Sequence, residues 1–292
     1  MELRQLNYFI AIVECGTVSG AARALNMSQP PLSAQMRLLE HELGCALFEH
    51  AGRRLRLTEA GRTLYARAKS ISALCESTRH EMADLSSGAA GVLRIGVISS
   101  VCGARFTAWL CGFARSYPGI SYDLREANTY QLLAQLRSHA IDIAIVRTPF
   151  SAPDLCAEPL RRESMVAVGR AELMGDCAHE GAISLDALKG VPLVMYRRWE
   201  PILRERFERM GIAPRIMCVN DNAVTTMALA REGLGVALAP ASTLECADCA
   251  ELTALPIAAA DLDSEIDAVY RSDAELTSAA RLLLDALRME KR

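Results

Sequence analysis

A chain of 292 residues has room for two or three domains, and 51% hydrophobic content is ample for packed cores. It has no run of about 18 apolar residues, which excludes a helical membrane span, and its start lacks the basic stretch and apolar core of a secretory signal. The expected location is the cytoplasm, with thiols mostly reduced. Net charge is −3, with 10 Lys and Arg against 9 Asp and Glu in residues 1–90 and 22 against 26 in the rest. A nucleic-acid partner must therefore be held by local placement of Arg4, Arg37, Arg53, Arg54 and Arg56, not by a general positive field.

In chain order, Leu3, Leu6, Phe9, Ile10 and Val13 form one helical apolar stripe. Ser19 and Ser28 then read as N-caps, and Pro30 and Pro31 suit a first turn that needs no internal donor. This predicts two short helices joined by a tight turn, the second starting near Ser28. Leu32, Met36, Leu39 and Leu43 step 4-3-4 and pack one face inward, while Gly44 suits the left-handed end of that helix. The opposite face carries Gln29, Ser33 and Arg37, types that read base edges or hold phosphates in a major groove. A lone polar face is as readily a solvated one, since helix-turn-helix shapes also occur in enzymes. The flanks favour DNA: the first helix completes a three-helix core, and residues 46–49 and 55–58 read as strands around Ala51-Gly52-Arg53-Arg54. With Arg56, three guanidinium groups gather at that hairpin tip, which suits phosphates or a minor groove.

Residues 58–86 form one long helical pattern without Pro. Leu64, Ala68, Ile71, Cys75, Thr78, Met82 and Leu85 alternate spacings of 4 and 3, a heptad seam. Its small and polar members make it weak alone, so it is expected to pack against a partner subunit or the first helix. Ser86-Ser87-Gly88-Ala89-Ala90-Gly91 reads as a hinge. Beyond it, strands at 93–98, 120–126 and 141–146 alternate with helices at 104–117 and 130–139. Strands at 165–168, 193–196, 216–219 and 235–239 and helices at 201–210 and 224–232 repeat the order. Two small lobes built on parallel sheets are the economical reading.

Ligands of such folds bind beyond the carboxyl ends of strands and in the cleft between lobes. Ser99 and Ser100 follow the first strand, Asn128 and Thr129 the second, and Arg147 ends the third as a counter-charge. Tyr196-Arg197-Arg198-Trp199-Glu200 combines two guanidiniums with two aromatics, facing the same cleft or forming a solvated loop with one buried ring. Asp221-Asn222 reads as an N-cap. A small organic acid fits this set.

Enzyme chemistry is missing: no strand leads into a glycine-rich phosphate loop, no nucleophile elbow appears, and His41, His50, His80, His139 and His179 are scattered. No catalytic residue, cofactor or metal is called for. Of ten cysteines, Cys246-Ala-Asp-Cys249 forms a single CxxC with no second pair or nearby His, too few ligands for structural zinc. Disulfide sensing there is the alternative reading, opposed by flanking acids that raise a thiol pKa. Cys15, Cys45 and Cys218 sit in apolar patterns and read as core. A free-standing solute-binding protein would explain the second half but not the first ninety residues.

The chain resembles the LysR-type transcriptional regulators. The residues that carry this are Met1-Glu2-Leu3-Arg4-Gln5-Leu6 with Phe9, Ala21-Ala22 and Leu25, Ser28-Gln29-Pro30-Pro31-Leu32-Ser33, Leu39-Glu40, Glu42-Leu43-Gly44, Leu47-Phe48, and Leu57-Thr58-Glu59-Ala60-Gly61, with weaker agreement along the whole length. The resemblance implies an N-terminal winged helix-turn-helix DNA-binding domain (1–58), a linker and dimerisation helix with its hinge (59–90), and a two-lobed, periplasmic-binding-protein-like α/β effector domain (91–292). Its lobes are expected at about 91–161 with 265–292 and at about 162–264. The function implied is a regulator that binds double-stranded promoter DNA, at an interrupted T-N11-A palindrome, as a homodimer or homotetramer, with RNA polymerase as a further partner and a small effector, here an organic acid, in the cleft. A thiol redox-sensing regulator of the same family is the alternative. Ser28, Gln29, Pro30, Pro31, Ser33, Arg37, Arg53 and Arg54 form the DNA-binding set. The effector-binding set is Ser99, Ser100, Asn128, Thr129, Arg147, Tyr196, Arg197 and Trp199. In the family, hydroxyls and amides at Ser99, Ser100 and Thr129 hold the effector's polar end, often a carboxylate.

Overall fold

The first helix, α1 (Leu3–Cys15), starts at a capping box in which the Glu2 backbone amide donates to Gln5 Oε1 at 2.9 Å. It is followed by α2 (Val18–Ala24), α3 (Gln29–Leu43), the strands β1 (Phe48–Ala51) and β2 (Arg54–Leu57), and the 29-residue α4 (Glu59–Ser87). The structure is a computed structural model that describes residues 1–51, 54–87, 91–175, 181–247, 249–272 and 276–290. By packing, the chain divides into two units, residues 1–88 with 134–141 and residues 89–133 with 142–292. Arg53, the Arg54, His80, Met82 and Leu85 side chains, hinge residues 88–90 and His179 lie outside the described residues. No helix among the described residues is long and apolar enough to cross a membrane.

In the first unit the inward faces meet as read from the sequence: Leu6, Phe9, Leu32, Met36 and Leu39 are buried, joined by Ile12, Ala21, Ala22, Leu47 and Ala68. Leu3 and Leu43, at helix ends, are exposed instead. The cap of α2 is Thr17 and not Ser19, because Thr17 has the extended backbone of a cap and its Oγ1 accepts from Gly20 N at 3.1 Å. The Ser19 hydroxyl donates to Gln29 Oε1 at 2.8 Å. Ser28 holds the cap position of α3 without a side-chain bond, and Gly44, at φ +67°, ends that helix in the left-handed region. The wing strands pair antiparallel with Phe48 opposite Leu57. The first begins two residues later than predicted, because Leu47 N donates to Glu40 Oε1 at 2.8 Å and the Ala46 carbonyl accepts from the Thr58 hydroxyl at 2.7 Å, which shapes 46–47 as a turn. A Cβ at Gly61 would collide with the Leu47 carbonyl, so glycine lets the wing base approach α4. Along α4, Leu64, Ala68 and Ile71 pack into this same core, and Glu14 of α1 receives Lys69 Nζ at 2.8 Å and the Tyr65 hydroxyl at 3.2 Å. The seam's N-terminal half therefore serves its own chain, the second of the two expected roles.

The remaining elements are β3 (Gly91–Val97), α5 (Ala104–Ser116), β4 (Ile120–Glu126), α6 (Thr129–Arg137), β5 (Ile143–Arg147), β6 (Cys156–Glu163), β7 (Met165–Gly169), α7 (Ala171–Met174), β8 (Pro192–Tyr196), α8 (Glu200–Arg209), β9 (Arg215–Asn220), α9 (Ala223–Arg231), β10 (Val236–Pro240), β11 (Thr253–Pro256), β12 (Ser264–Tyr270) and α10 (Ser278–Glu290). They build two five-stranded sheets, β4-β3-β5-β12-β6 in lobe I and β11-β7-β10-β8-β9 in lobe II. The expected parallel pairing holds only at the heart of each, β4-β3-β5 and β10-β8-β9. The strands β12, β6, β7 and β11 pair antiparallel. Only Ser164 separates β6 from β7, yet they lie in different sheets, and their antiparallel partners, β12 for β6 and β10 and β11 for β7, come from distant stretches of the chain. The charged, half-exposed β6, with Pro159 within it, carries no apolar run that marks it as a strand.

The cysteines correct a further expectation. Cys15 and Cys45 are exposed and Cys218 is half-buried, because the first two stand at the ends of α1 and α3, where the apolar stripe leaves the core.

Candidate DNA interface and effector cleft

The burial of Leu32, Met36 and Leu39 turns the first turn of α3 outward. Ser28, Gln29, Pro30, Pro31 and Arg37 are exposed and Ser33 is half-buried. Arg37 lies about 12 Å further along the axis than Gln29, at 1.5 Å rise per residue. With Ser19 donating to its Oε1, the exposed Gln29 keeps its amide hydrogens as donors. Gln5 Nε2 donates to Gln35 Oε1 at 3.2 Å and ties α3 to α1. The exposed Arg56 adds a cation on the wing.

The second site is a cavity of about 650 Å³ between the lobes, at the carboxyl ends of β3, β4 and β8. Ser99, Asn128, Thr129, Tyr196 and Arg197 of the predicted set line it together. Ser99 and Tyr196 share a hydroxyl hydrogen bond of 3.1 Å across the lobes. Asn128 caps α6: its Oδ1 accepts from Gln131 N at 3.0 Å, and its own amide donates to Gln131 Oε1 at 3.3 Å. The amides of Thr129 and Tyr130, at the start of α6, are those a helix leaves without internal partners.

Three predicted residues are elsewhere. Arg147 is fully buried, and its guanidinium is committed to Glu163, to Ser264 Oγ at 3.0 Å, to Ser242 Oγ at 2.8 Å and to Ser100 Oγ at 3.4 Å. Glu163 Oε2 also accepts from Ser242 N at 2.9 Å. Burial lowers the Arg147 pKa and the Glu163 carboxylate opposes that shift, so this is a structural ion pair at the crossing between lobes, not a fork open to a ligand. Ser100, fully buried against Arg147, is not in the cleft lining either. Trp199 is only 2% exposed and packs with Leu203 and Phe207 in the lobe II core.

Arg198, absent from the predicted set, takes the place expected of Arg147. It reaches from lobe II into lobe I, donating through Nη1 to Thr129 Oγ1 at 2.7 Å and through Nη2 to the carbonyl oxygens of Pro149, at 2.9 Å, and Arg147. Its pKa is lowered by burial. The run Tyr196-Arg197-Arg198-Trp199 carried the signal, but which side chain faces the cleft depends on where β8 ends and α8 begins. Arg197 and Asp221 pair at 2.8 Å on the exposed rim. Asn222 caps α9 as read, its Oδ1 accepting from Thr225 N at 3.0 Å. Cys246 donates through Sγ to the Ser99 carbonyl at 3.4 Å, and burial, reinforced by Cys102 and Glu245, pushes its thiol up to about 12.

A winged helix-turn-helix, a long helix and a two-lobed α/β cleft define a DNA-binding transcriptional regulator that carries a binding domain of its own. Residues 3–62 match the model of bacterial regulatory helix-turn-helix proteins of the lysR family, and residues 86–292 match the LysR substrate binding domain. The chain belongs to the LysR family of transcriptional regulators, and is not an enzyme. It is 31% identical to the uncharacterized HTH-type transcriptional regulator YnfL of Escherichia coli K12, over 99% of both chains. It is 29% identical to the regulator BsdA of Bacillus subtilis 168, over 84% of this chain and 85% of that one. Full-length CbnR, solved in complex with its target DNA, has the same fold with a TM-score of 0.78 at 24% identity, over 99% of both chains.

Proposed function

We propose that the protein is an effector-responsive regulator that binds operator DNA as a homodimer or homotetramer and holds a small organic acid in the interlobe cleft. Its division is 1–58 for DNA, 59–90 for linkage and 91–292 for sensing. In this reading Gln29 and Ser33 read base edges, Ser28, Pro30 and Pro31 frame the helix start, and Arg37, Arg53 and Arg54 hold phosphates. Leu74, a large apolar side chain 47% exposed on α4, supplies the contact between subunits.

The observation that carries the effector site is the bond from Arg198 to Thr129. Thr129 Oγ1 accepts from that guanidinium, which leaves its own hydrogen available to donate; among the described residues it has no acceptor, and the side chain, 1% exposed, lines the cavity wall. That hydroxyl, the first amides of α6 and Ser99 make a donor array for a carboxylate. Redox sensing through Cys246 is the weaker reading, since the thiolate is the reactive form and burial holds the proton on this sulfur. Gel retardation on the DNA beside the gene, repeated with a panel of small organic acids, tests the proposal. A ligand-dependent change in the footprint is expected, and retention of no specific duplex would overturn it.

A further inference from the structure

The cleft holds acid as well as base. Glu126, the last residue of β4, lines the cavity three residues before Thr129, is exposed, and has no hydrogen-bond or ion-pair partner among the described residues. The other cleft carboxylate, Asp221, is paired with Arg197. A ligand that is only an acid, seated on Thr129, would therefore lie beside an uncompensated like charge in a partly desolvated space, where such repulsion is stronger than in water. A cation on the same molecule turns that repulsion into attraction.

We propose that the effector is zwitterionic, with the layout of an α-amino acid. This rests on the cleft being the effector site. Its carboxylate takes the hydroxyl of Thr129 and the α6 amides, with Arg198 polarising Thr129 from behind, and its ammonium faces Glu126. A branched or aromatic side chain rests among Ile98, Tyr130, Pro201 and Ile202, which belong to the apolar part of the lining. The charged side chains of the lining, Arg197, Arg198, Asp221 and Glu126, sum to zero although Glu126 and Arg198 do not pair with each other, so a neutral zwitterion leaves that sum unchanged.

The test uses the full-length chain. The proteinogenic amino acids are screened by thermal shift, and the best of them is compared by calorimetry with its deaminated acid and its decarboxylated amine. For phenylalanine these are 3-phenylpropanoate and 2-phenylethylamine. The amino acid is expected to bind roughly tenfold or more tightly than either, as charge-assisted bonds are lost at one end or the other. Glu126→Gln should erase its advantage over the deaminated acid. The proposal falls if no amino acid shifts the melting temperature, or if the deaminated acid binds wild type as tightly as the amino acid. In the second case an acid still binds, and the effector reading of the cleft survives provided that Thr129→Val weakens it. If Thr129→Val changes no affinity, the cleft reading fails as well.

Discussion

Arg198 and Thr129 meet across the cleft, the arginine Nη1 donating to the threonine Oγ1 at 2.7 Å from the loop after β8 to the first turn of α6. One side chain thus joins the lobes and sets the direction of the hydroxyl that a ligand would meet. Thr129→Val keeps the shape and removes the hydroxyl. Effector affinity should fall roughly ten- to hundredfold, since a hydrogen bond to a charged group is worth about 1.5–3 kcal/mol. Isothermal calorimetry reads the change directly, and an unaltered Kd would remove Thr129 from the site.

Arg147 should matter for folding. Arg147→Met leaves the buried Glu163 with only the longer Arg161 contact, at 3.4 Å, and its Ser242 bonds, so the loss should approach but not exceed the roughly 3–5 kcal/mol that breaking a buried pair costs. Thermal unfolding of the single variant should show a large fall in Tm, and adding Glu163→Leu should recover part of it. A single variant as stable as wild type would mean that the ion pair does not hold the crossing.

On DNA, Gln29→Ala and Ser33→Ala should each cost about 1–3 kcal/mol on the operator and little on random duplex. Ser19→Ala should act in the same direction with smaller size, because Ser19 holds the Gln29 amide in place. Arg37→Ala should weaken both duplexes and lower the salt slope by about 1. Fluorescence anisotropy over a salt series separates the two patterns, and equal losses on both duplexes for Gln29→Ala would rule out base reading.

For assembly, Leu74 is the clean probe and Ile71 is not, because Ile71 already packs into the core around α1. Sedimentation of Leu74→Arg should show a folded chain of lower oligomeric state, whereas Ile71→Glu should lower the melting temperature first. An unchanged oligomer for Leu74→Arg would place the subunit contact elsewhere.

Cys246 should be slow to alkylate. With a thiol near 12, roughly one molecule in ten thousand carries the thiolate at pH 8, while Cys15 and Cys111 are exposed. Its folded pKa lies above the unfolded value, so the stability it contributes is full below about pH 9 and declines as pH rises toward 12. Mass spectrometry after a timed iodoacetamide pulse should find Cys15 and Cys111 modified well before Cys246, and the reverse order would restore a sensing role.

The sequence by itself determined the elements whose signals are local. The 4-3-4 spacing of Leu32, Met36 and Leu39, the stop at Gly44 and the residue types of the α3 first turn depend only on helical period and on which backbone angles glycine allows. The strand ends that carry Ser99, Asn128 and Thr129 were legible in the same way, from a short buried run before Ser99 and an alternating strand before Asn128, each followed by polar residues. What tertiary structure alone decided is where long side chains spend their charge. Arg147 and Arg198 both stand at or just after strand ends, yet one is sealed against Glu163 and the other spans the cleft to Thr129. A guanidinium's partner is set by chain segments far apart in sequence, here 16 residues away for Arg147 and 69 for Arg198. The antiparallel strands β6 and β12 have the same cause: their pairing is set by a crossing between lobes that no local pattern records.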